Sequence, residues 1–320
     1  MQSIKAIEES TVQFIRDKVL SVHVLDGGHI NETYLIETGS ERHILQRLDK
    51  NIELSKLEHN YRLYSAVCER RGWAYPAWLK NRGGSYFYTD HNGGAWRAYA
   101  YINADIMTPP LSTETLHACG RGLAEMHAIL RELPKRPMAV YPHLHDLKHY
   151  YDNYVRLLSG GDLRGENRDP ELETLIDDRI NEMLTVQPRR SSAIHGDPKL
   201  KNILFRDGVV IGFLDMDTVM PGSLTEDVAD CIRSSCVADG RFSASAAKHL
   251  LEGYQSAAPQ EAVDGIMREL PEVFNKINFE LGLRYYSDAI SKDKKFRNSD
   301  PKALLEKART RLETIWDECI

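Results

Sequence analysis

Polar and apolar residues alternate along the first hundred positions, and then the period changes. The stretch "SVHVLDGGHINETYLIET" (21–38) alternates on both sides of a Gly-Gly pair, which predicts strand, turn and strand. A second alternating run, "ERHILQRLD" (41–49), follows the turn residues Gly39 and Ser40. "GSYFYTD" (84–90) and "AWRAYAYI" (95–102) read as two further strands. Between them lies a helical pattern, "ELSKLEHNYRLYSAVCERRG" (53–72), with Leu54, Leu57, Tyr61 and Tyr64 on one side and Gly72 as its stop. An amphipathic helix over "STVQFIRDKV" (10–19) precedes the first strand.

Near "NADIMTPPLSTET" (103–115) the paired prolines and Ser/Thr caps mark a linker and a new helix start. Helical periodicity dominates from there, over 112–133, 146–158, 170–184, 243–256 and 271–290, with short strands interrupting around 193–216. A β-rich segment followed by an α-rich one is an α+β pattern, divided into 1–102 and 103–320. No internal repeat or low-complexity tract is visible.

Composition narrows the partners. With 42% hydrophobic and 28% charged residues among 320, the chain has the make-up of a globular protein. A net charge of -6 and scattered basic residues argue against nucleic acid. Five cysteines without a CxxC pair read as reduced thiols, neither a disulfide framework nor a zinc site. No apolar run approaches the roughly 18 residues of a membrane span. The first residues carry acids and lack an apolar core, so a cytoplasmic monomer or dimer with no membrane partner is expected.

Chemistry concentrates in "AIHGDPKLKNILF" (193–205) and "GFLDMDTVMPG" (212–222). Phosphoryl transfer needs a carboxylate at the acceptor hydroxyl and oxygen ligands for the metal on the phosphates. Asp197, Asn202 and Asp215 stand in the order of a kinase-type catalytic loop and the strand end that follows it. Asp197 is the expected catalytic residue, meeting the substrate hydroxyl, and Asn202 and Asp215 the ligands of Mg²⁺, which prefers hard oxygens. Asp217 is either a second metal ligand or a cap for the turn before Pro221. His195 is expected to hold the loop in place.

The "HGDxxxxN" pattern and the strand ending in "DxD" resemble the aminoglycoside phosphotransferase and choline kinase superfamily. "GGHINETY", "ILQRLD", "LDMDTVMPG", "DVADCIRSS" and "FELGLRYYSD" are most similar to its N-acetylhexosamine 1-kinase branch, in that order and across roughly residues 22–315. The resemblance implies a protein-kinase-like two-lobed fold, with ATP as donor and a small sugar-like acceptor. In "LDGGHINETY", Gly27 and Gly28 would let backbone N–H groups approach the phosphates, with Asn31 and Thr33 in place of further glycines. Where protein kinases carry a lysine, "HILQRLD" has Gln46 and Arg47, of which only one can face the nucleotide. Arg47 is the expected cation and Glu58 its partner; a solvated Glu58 is the alternative.

The acceptor is less constrained. On "FELGLRYYSDAI" (279–290) Phe279, Leu283, Tyr286 and Ile290 form the buried side, with Glu280, Arg284 and Asp288 on another face. Arg284 suits a sugar or a phosphate better than a cationic drug, so it is the expected substrate residue, together with Asp197. An aminoglycoside, choline or homoserine type of acceptor, or a catalytically silent binding protein, are the alternatives. His143, His145 and His149 have spacing a metal could use but lack a clear third ligand.

Overall fold

The computed structural model describes residues 4–25, 31–160, 162–238, 240–292 and 300–316. The chain divides into two compact units, Met1–Ala104 and Asp105–Ile320. The fold is α+β, a sheet in the first unit and mostly helices in the second.

In the first unit α1 (Ile4–Phe14) is followed by β1 (Val19–Leu25), β2 (Glu32–Thr38), β3 (Arg42–Arg47), α2 (Leu54–Arg71), β4 (Tyr88–Thr89) and β5 (Ala95–Ala100). The strands form one antiparallel sheet in the order β1-β2-β3-β5-β4. Alternation puts Tyr34, Ile36, Leu45, Trp96 and Ala98 on one face, where Ala6 and Phe14 of α1 cover them. The helix expected over 10–19 therefore lies earlier, because Val19 leaves it to pair with Thr38. Gly72 ends α2 at φ 65°, a left-handed cap that glycine adopts without strain. Of "GSYFYTD" only Tyr88 and Thr89 form a strand.

The second unit contains α3 (Thr113–Arg131), α4 (Leu147–Ser159), α5 (Pro170–Thr185), β6 (Ser192–Ile194), β7 (Ile203–Arg206), β8 (Val209–Phe213), β9 (Met220–Gly222), α6 (Leu224–Ser235), α7 (Ala244–Gln255), α8 (Gln260–Ile290) and α9 (Pro301–Glu313). Side chains cap several of these helices. Ser112 accepts from the Thr115 N–H at 3.2 Å, and Asp146 from the His149 N–H at 3.0 Å. Ser223 and Glu226 close a capping box on α6. Phe279, Leu283, Tyr286 and Ile290 of α8 are fully buried with Leu147, Ile176 and Leu312. That helix runs on through Pro271, where sequence pattern predicts a start. Burial of Ile266 and Leu270 before the proline, and of Val273 and Phe274 after it, offsets the roughly 3 kcal/mol that an interior proline costs. No helix among the described residues is long and apolar enough to cross a membrane.

Candidate active site

The site in the second unit is a loop held from behind. β6 pairs with β9 and β7 with β8, so the segments leading into and out of residues 195–202 are both anchored. The His195 N–H donates to Asp227 Oδ2 at 2.7 Å and the Gly196 N–H to Asp227 Oδ1 at 2.8 Å. Behind Asp227 stand His127, 3.0 Å away, and Tyr254, whose hydroxyl is 2.7 Å from the other nitrogen of His127. The His195 ring lies 2.9 Å from the Leu214 carbonyl, which ties the loop to the residue before Asp215. His195 thus holds the loop, as its position implies.

Asp197 is fixed by its neighbours. Lys199 Nζ donates to Asp197 Oδ2, and Asn202 Nδ2 donates to the Asp197 carbonyl at 2.8 Å and to Oδ2 at 3.3 Å. Among the described residues Oδ1 of Asp197 has no donor. Asn202 spends its amide on Asp197, which leaves its own oxygen available to a cation. Asp215 adopts a left-handed backbone at φ 56°, uncommon for an aspartate, two residues past the end of β8. Its side chain reaches solvent, yet desolvation and the neighbouring Asp217 carboxylate hold its acid above the ordinary range, with Lys199 opposing. Burial pulls the Lys199 ammonium down, and the charges of Asp197, Asp215 and Asp230 outweigh it, so its net shift is upward.

Carboxylates crowded this way favour a positive guest, and every donor offered is oxygen. Asn202 and Asp215 therefore fit a hard divalent cation such as Mg²⁺. Asp217 is buried beside Asp215.

Two further groups adjoin the loop. His145 has a left-handed backbone at φ 58°, and its buried ring lies 2.8 Å from the Gly196 carbonyl. Burial depresses its basicity, but the carboxylates of Glu226, Glu280, Asp230 and Asp227 prevail and raise it. Glu280 is 4% exposed; burial raises its acid, against His145, Arg284 and Lys276. Arg284 Nη1 is 3.9 Å from Glu280, and the guanidinium lies over the Tyr150 ring at 4.8 Å. His143 stacks on His149 with ring centroids 3.6 Å apart, while His145 turns away to Gly196. The three histidines therefore do not converge.

In the first unit the expected nucleotide residues separate. Gly27 and Gly28 lie outside the described residues. Asn31 Oδ1 accepts from the Asp49 N–H at 3.1 Å, and Thr33 Oγ1 from Gln46 Nε2 at 3.1 Å. Glu58 pairs with Arg62 one helical turn on, at 2.5 Å, and does not meet Arg47. Arg47 instead lies 3.9 Å from Glu32, against the Gly94 turn beside Asp90. Burial pushes the Asp90 acid up, but bonds from Trp96, Gly94 and Asn92 and the Arg47 charge bring it below the usual range.

Asp227, His127, Lys199 and His145 were not singled out by sequence pattern as parts of this site. The only signal for His127 was a histidine on the apolar face of "AEMHAIL". Nothing local couples it to a residue a hundred positions on.

A β-sheet unit joined in sequence to a helical one, with a carboxylate loop followed by a β-hairpin and then Asp215, defines the protein-kinase-like phosphotransferase class. The chain belongs to the Phosphotransferase enzyme family (APH), whose profile matches residues 21–262. It is a small-molecule phosphotransferase. It is similar to the homoserine kinase of Rhizobium etli (strain CIAT 652), 24% identical over 245 residues, 75% of this chain and 73% of that protein. A shorter match, 33% over 112 residues, covers 33% of this chain and about a third of the length (34%) of the homoserine kinase of Gluconacetobacter diazotrophicus. Among solved structures, the amicoumacin kinase hAmiN in complex with AMP-PNP, Ca²⁺ and Ami shares the fold at a TM-score of 0.68 and 15% identity, over 97% of this chain and 93% of that one. A microcompartment-associated aminopropanol kinase does so at 0.66 and 16%, over 96% and 94%.

Proposed function

We propose that the protein transfers the γ-phosphoryl group of ATP to a hydroxyl of a small polar acceptor, in the first reading the anomeric hydroxyl of an N-acetylhexosamine-type sugar. The observation that carries phosphoryl transfer is the Asp197 carboxylate, fixed through Oδ2 by Lys199 and Asn202 with Oδ1 left for a substrate proton. Asp197 accepts or orients the proton of the attacking hydroxyl. Mg²⁺ bound through Asn202 and Asp215 would neutralise charge on the ATP phosphates. Lys199 keeps Asp197 aimed, and the Asp227–His127 pair keeps the loop backbone from shifting.

The sugar reading draws support from the mixed donor and acceptor set of Glu280 and Arg284 beside Tyr150, and from the motifs similar to the N-acetylhexosamine 1-kinase branch. A second reading, a homoserine-type amino alcohol, is favoured by the two relatives named above and by Arg284, whose planar fork also suits a carboxylate. Incubation with MgATP and each acceptor separates them. An anomeric phosphate removes the free hemiacetal, so reducing-end reactivity falls in step with ATP consumption. Reactivity that persists in a phosphorylated sugar moves the transfer to another hydroxyl, and transfer only to homoserine replaces the sugar reading.

A further inference from the structure

Two triads among the described residues bring three possible metal ligands within 4.8 Å of one another, and they differ in geometry. In the first, His143, Asp146 and His149, the two rings lie flat on each other, 3.6 Å between centroids and 7° between planes. Imidazole lone pairs lie in the ring plane, so stacked rings send them along parallel lines and not toward one point. Asp146 Oδ1 also accepts the His149 N–H as the cap of α4.

The second triad, His117, His249 and Glu252, converges. His117 Nε2 is 3.1 Å and His249 Nδ1 3.2 Å from the same oxygen, Glu252 Oε2. The ring centroids are 5.8 Å apart and the planes are inclined by 35°. Ligands on a four-coordinate Zn²⁺, at bonds of about 2.0–2.1 Å, keep roughly 3.3 Å between neighbours, so this cluster needs little change to close on an ion. Backbone contact sets the spacing. His249 and Glu252 are one turn apart on α7, and His117 stands on α3 where the two helices meet. A Cβ at Gly253, next to Glu252, would stand 2.2 Å from the His117 carbonyl, so glycine is what lets the two ligand-bearing turns approach. The three side chains are 34–41% exposed, which opens the cluster to an ion from solvent. The His249 hydrogen bond, foremost, and the one with His117 hold the Glu252 acid below its usual range against desolvation, so the third ligand is an anion.

We propose that His117, His249 and Glu252 form a binding site for a divalent transition metal of the Zn²⁺ class, with water completing the coordination. Two imidazole nitrogens favour such ions over Mg²⁺ and Ca²⁺, which prefer oxygen throughout. The bound ion clips α3 to α7, the helices that carry His127 and Tyr254 behind the Asp227 carboxylate. The site is independent of the phosphoryl-transfer reading.

Calorimetric titration of the full chain with Zn²⁺, in excess Mg²⁺ to cover the oxygen ligands Asn202 and Asp215, tests it. One Zn²⁺ per chain is expected, and His117→Ala, His249→Ala and Glu252→Gln should each weaken it at least about tenfold, a loss that even outer-shell changes cause. Zn²⁺ should raise the Tm of the parent and leave that of His249→Ala where it was, because only an ion bound to the folded chain stabilises it. His143→Ala should bind as the parent does. If an alanine variant does not fold, glutamine at that position keeps a donor for Glu252 without the imidazole and must show the same loss. A parent that binds no Zn²⁺ in excess Mg²⁺, affinity retained in any of the three variants, or affinity lost in His143→Ala instead overturns the inference.

Discussion

Arg284 has two descriptions on sequence alone, a rung in an exposed ladder with Glu280 and Asp288, or a ligand for the acceptor. Glu280 and Asp288 are each 4% exposed, so the ladder is not a solvated surface. Arg284 spans Glu280 and the Tyr150 ring, and a lysine cannot both stack and present a planar fork. Arg284→Lys is expected to raise the acceptor KM at least about tenfold and leave the ATP KM near the parent's, a loss typical of one charge-assisted bond. Kinetics with each substrate varied separately check this, and a lysine variant equal to the parent refutes the role. Asp227 offers a second test, of stability. Burial pushes its carboxyl up, but the His127 hydrogen bond and the His127 and His195 charges prevail and bring it below the ordinary value. A depressed carboxylate stabilises the fold above its unfolded pKa, about 3.9, and that stability is lost as pH falls through the folded value. The Tm gap between the parent and Asp227→Asn should therefore be wide at neutral pH, reflecting about 1–3 kcal/mol, and should narrow below about pH 4. A gap that does not change with pH contradicts the assignment. Asp197, Asn202 and Asp215 were legible because they sit close in sequence within apolar flanks. The Asp227–His127 pair was not, since its members lie a hundred positions apart.

Among the elements, α3 and α7 depend on two glycines. A Cβ at Gly120 would stand 1.9 Å from the Leu250 carbonyl, and one at Gly253 would stand 2.2 Å from the His117 carbonyl. Both obstacles are backbone, so the helices must move apart to admit a methyl group. Gly120→Ala is expected to destabilise the protein by about 1–3 kcal/mol even though alanine favours helix. Urea denaturation reads this, and an unchanged or raised midpoint contradicts it. The periodic helices α2, α3 and α5 were legible because apolar spacing runs along each, with Gly72 stopping α2 and Ser112 and Asp169 capping α3 and α5. Local punctuation misled at α8, where Pro271 reads as a start and packing on both sides overrides it. The helix α6 was not predicted: ten of the eleven residues from Thr225 to Ser235 are buried, so its polar face, with Glu226, Asp227 and Asp230, is covered as its apolar face is.

At the scale of the whole molecule, the period changes from alternation to helical near 103–115, and the chain divides into its two units after Ala104. The α+β class was readable for that reason, because alternation dominates the first unit and helical period the second; the kinase-like fold was implied by the resemblance of spaced motifs. The acceptor was not readable, since the residues proposed for it come from the α4 approach, the 195–202 loop and α8, which are far apart in sequence. If Asn202 and Asp215 hold a divalent cation, activity should vanish in excess chelator and return with Mg²⁺ or Mn²⁺. Full activity under chelation rules out that arrangement. The most direct test of phosphoryl transfer through Asp197 follows ³¹P resonances during incubation with MgATP and a panel of N-acetylhexosamines, homoserine and amino alcohols, for the parent and for a folded Asp197→Asn variant. A phosphomonoester that grows only with a matching acceptor, and at least about a hundredfold more slowly in the variant, is the expected result. Transfer to none of these acceptors, or transfer undiminished in Asp197→Asn, contradicts the account.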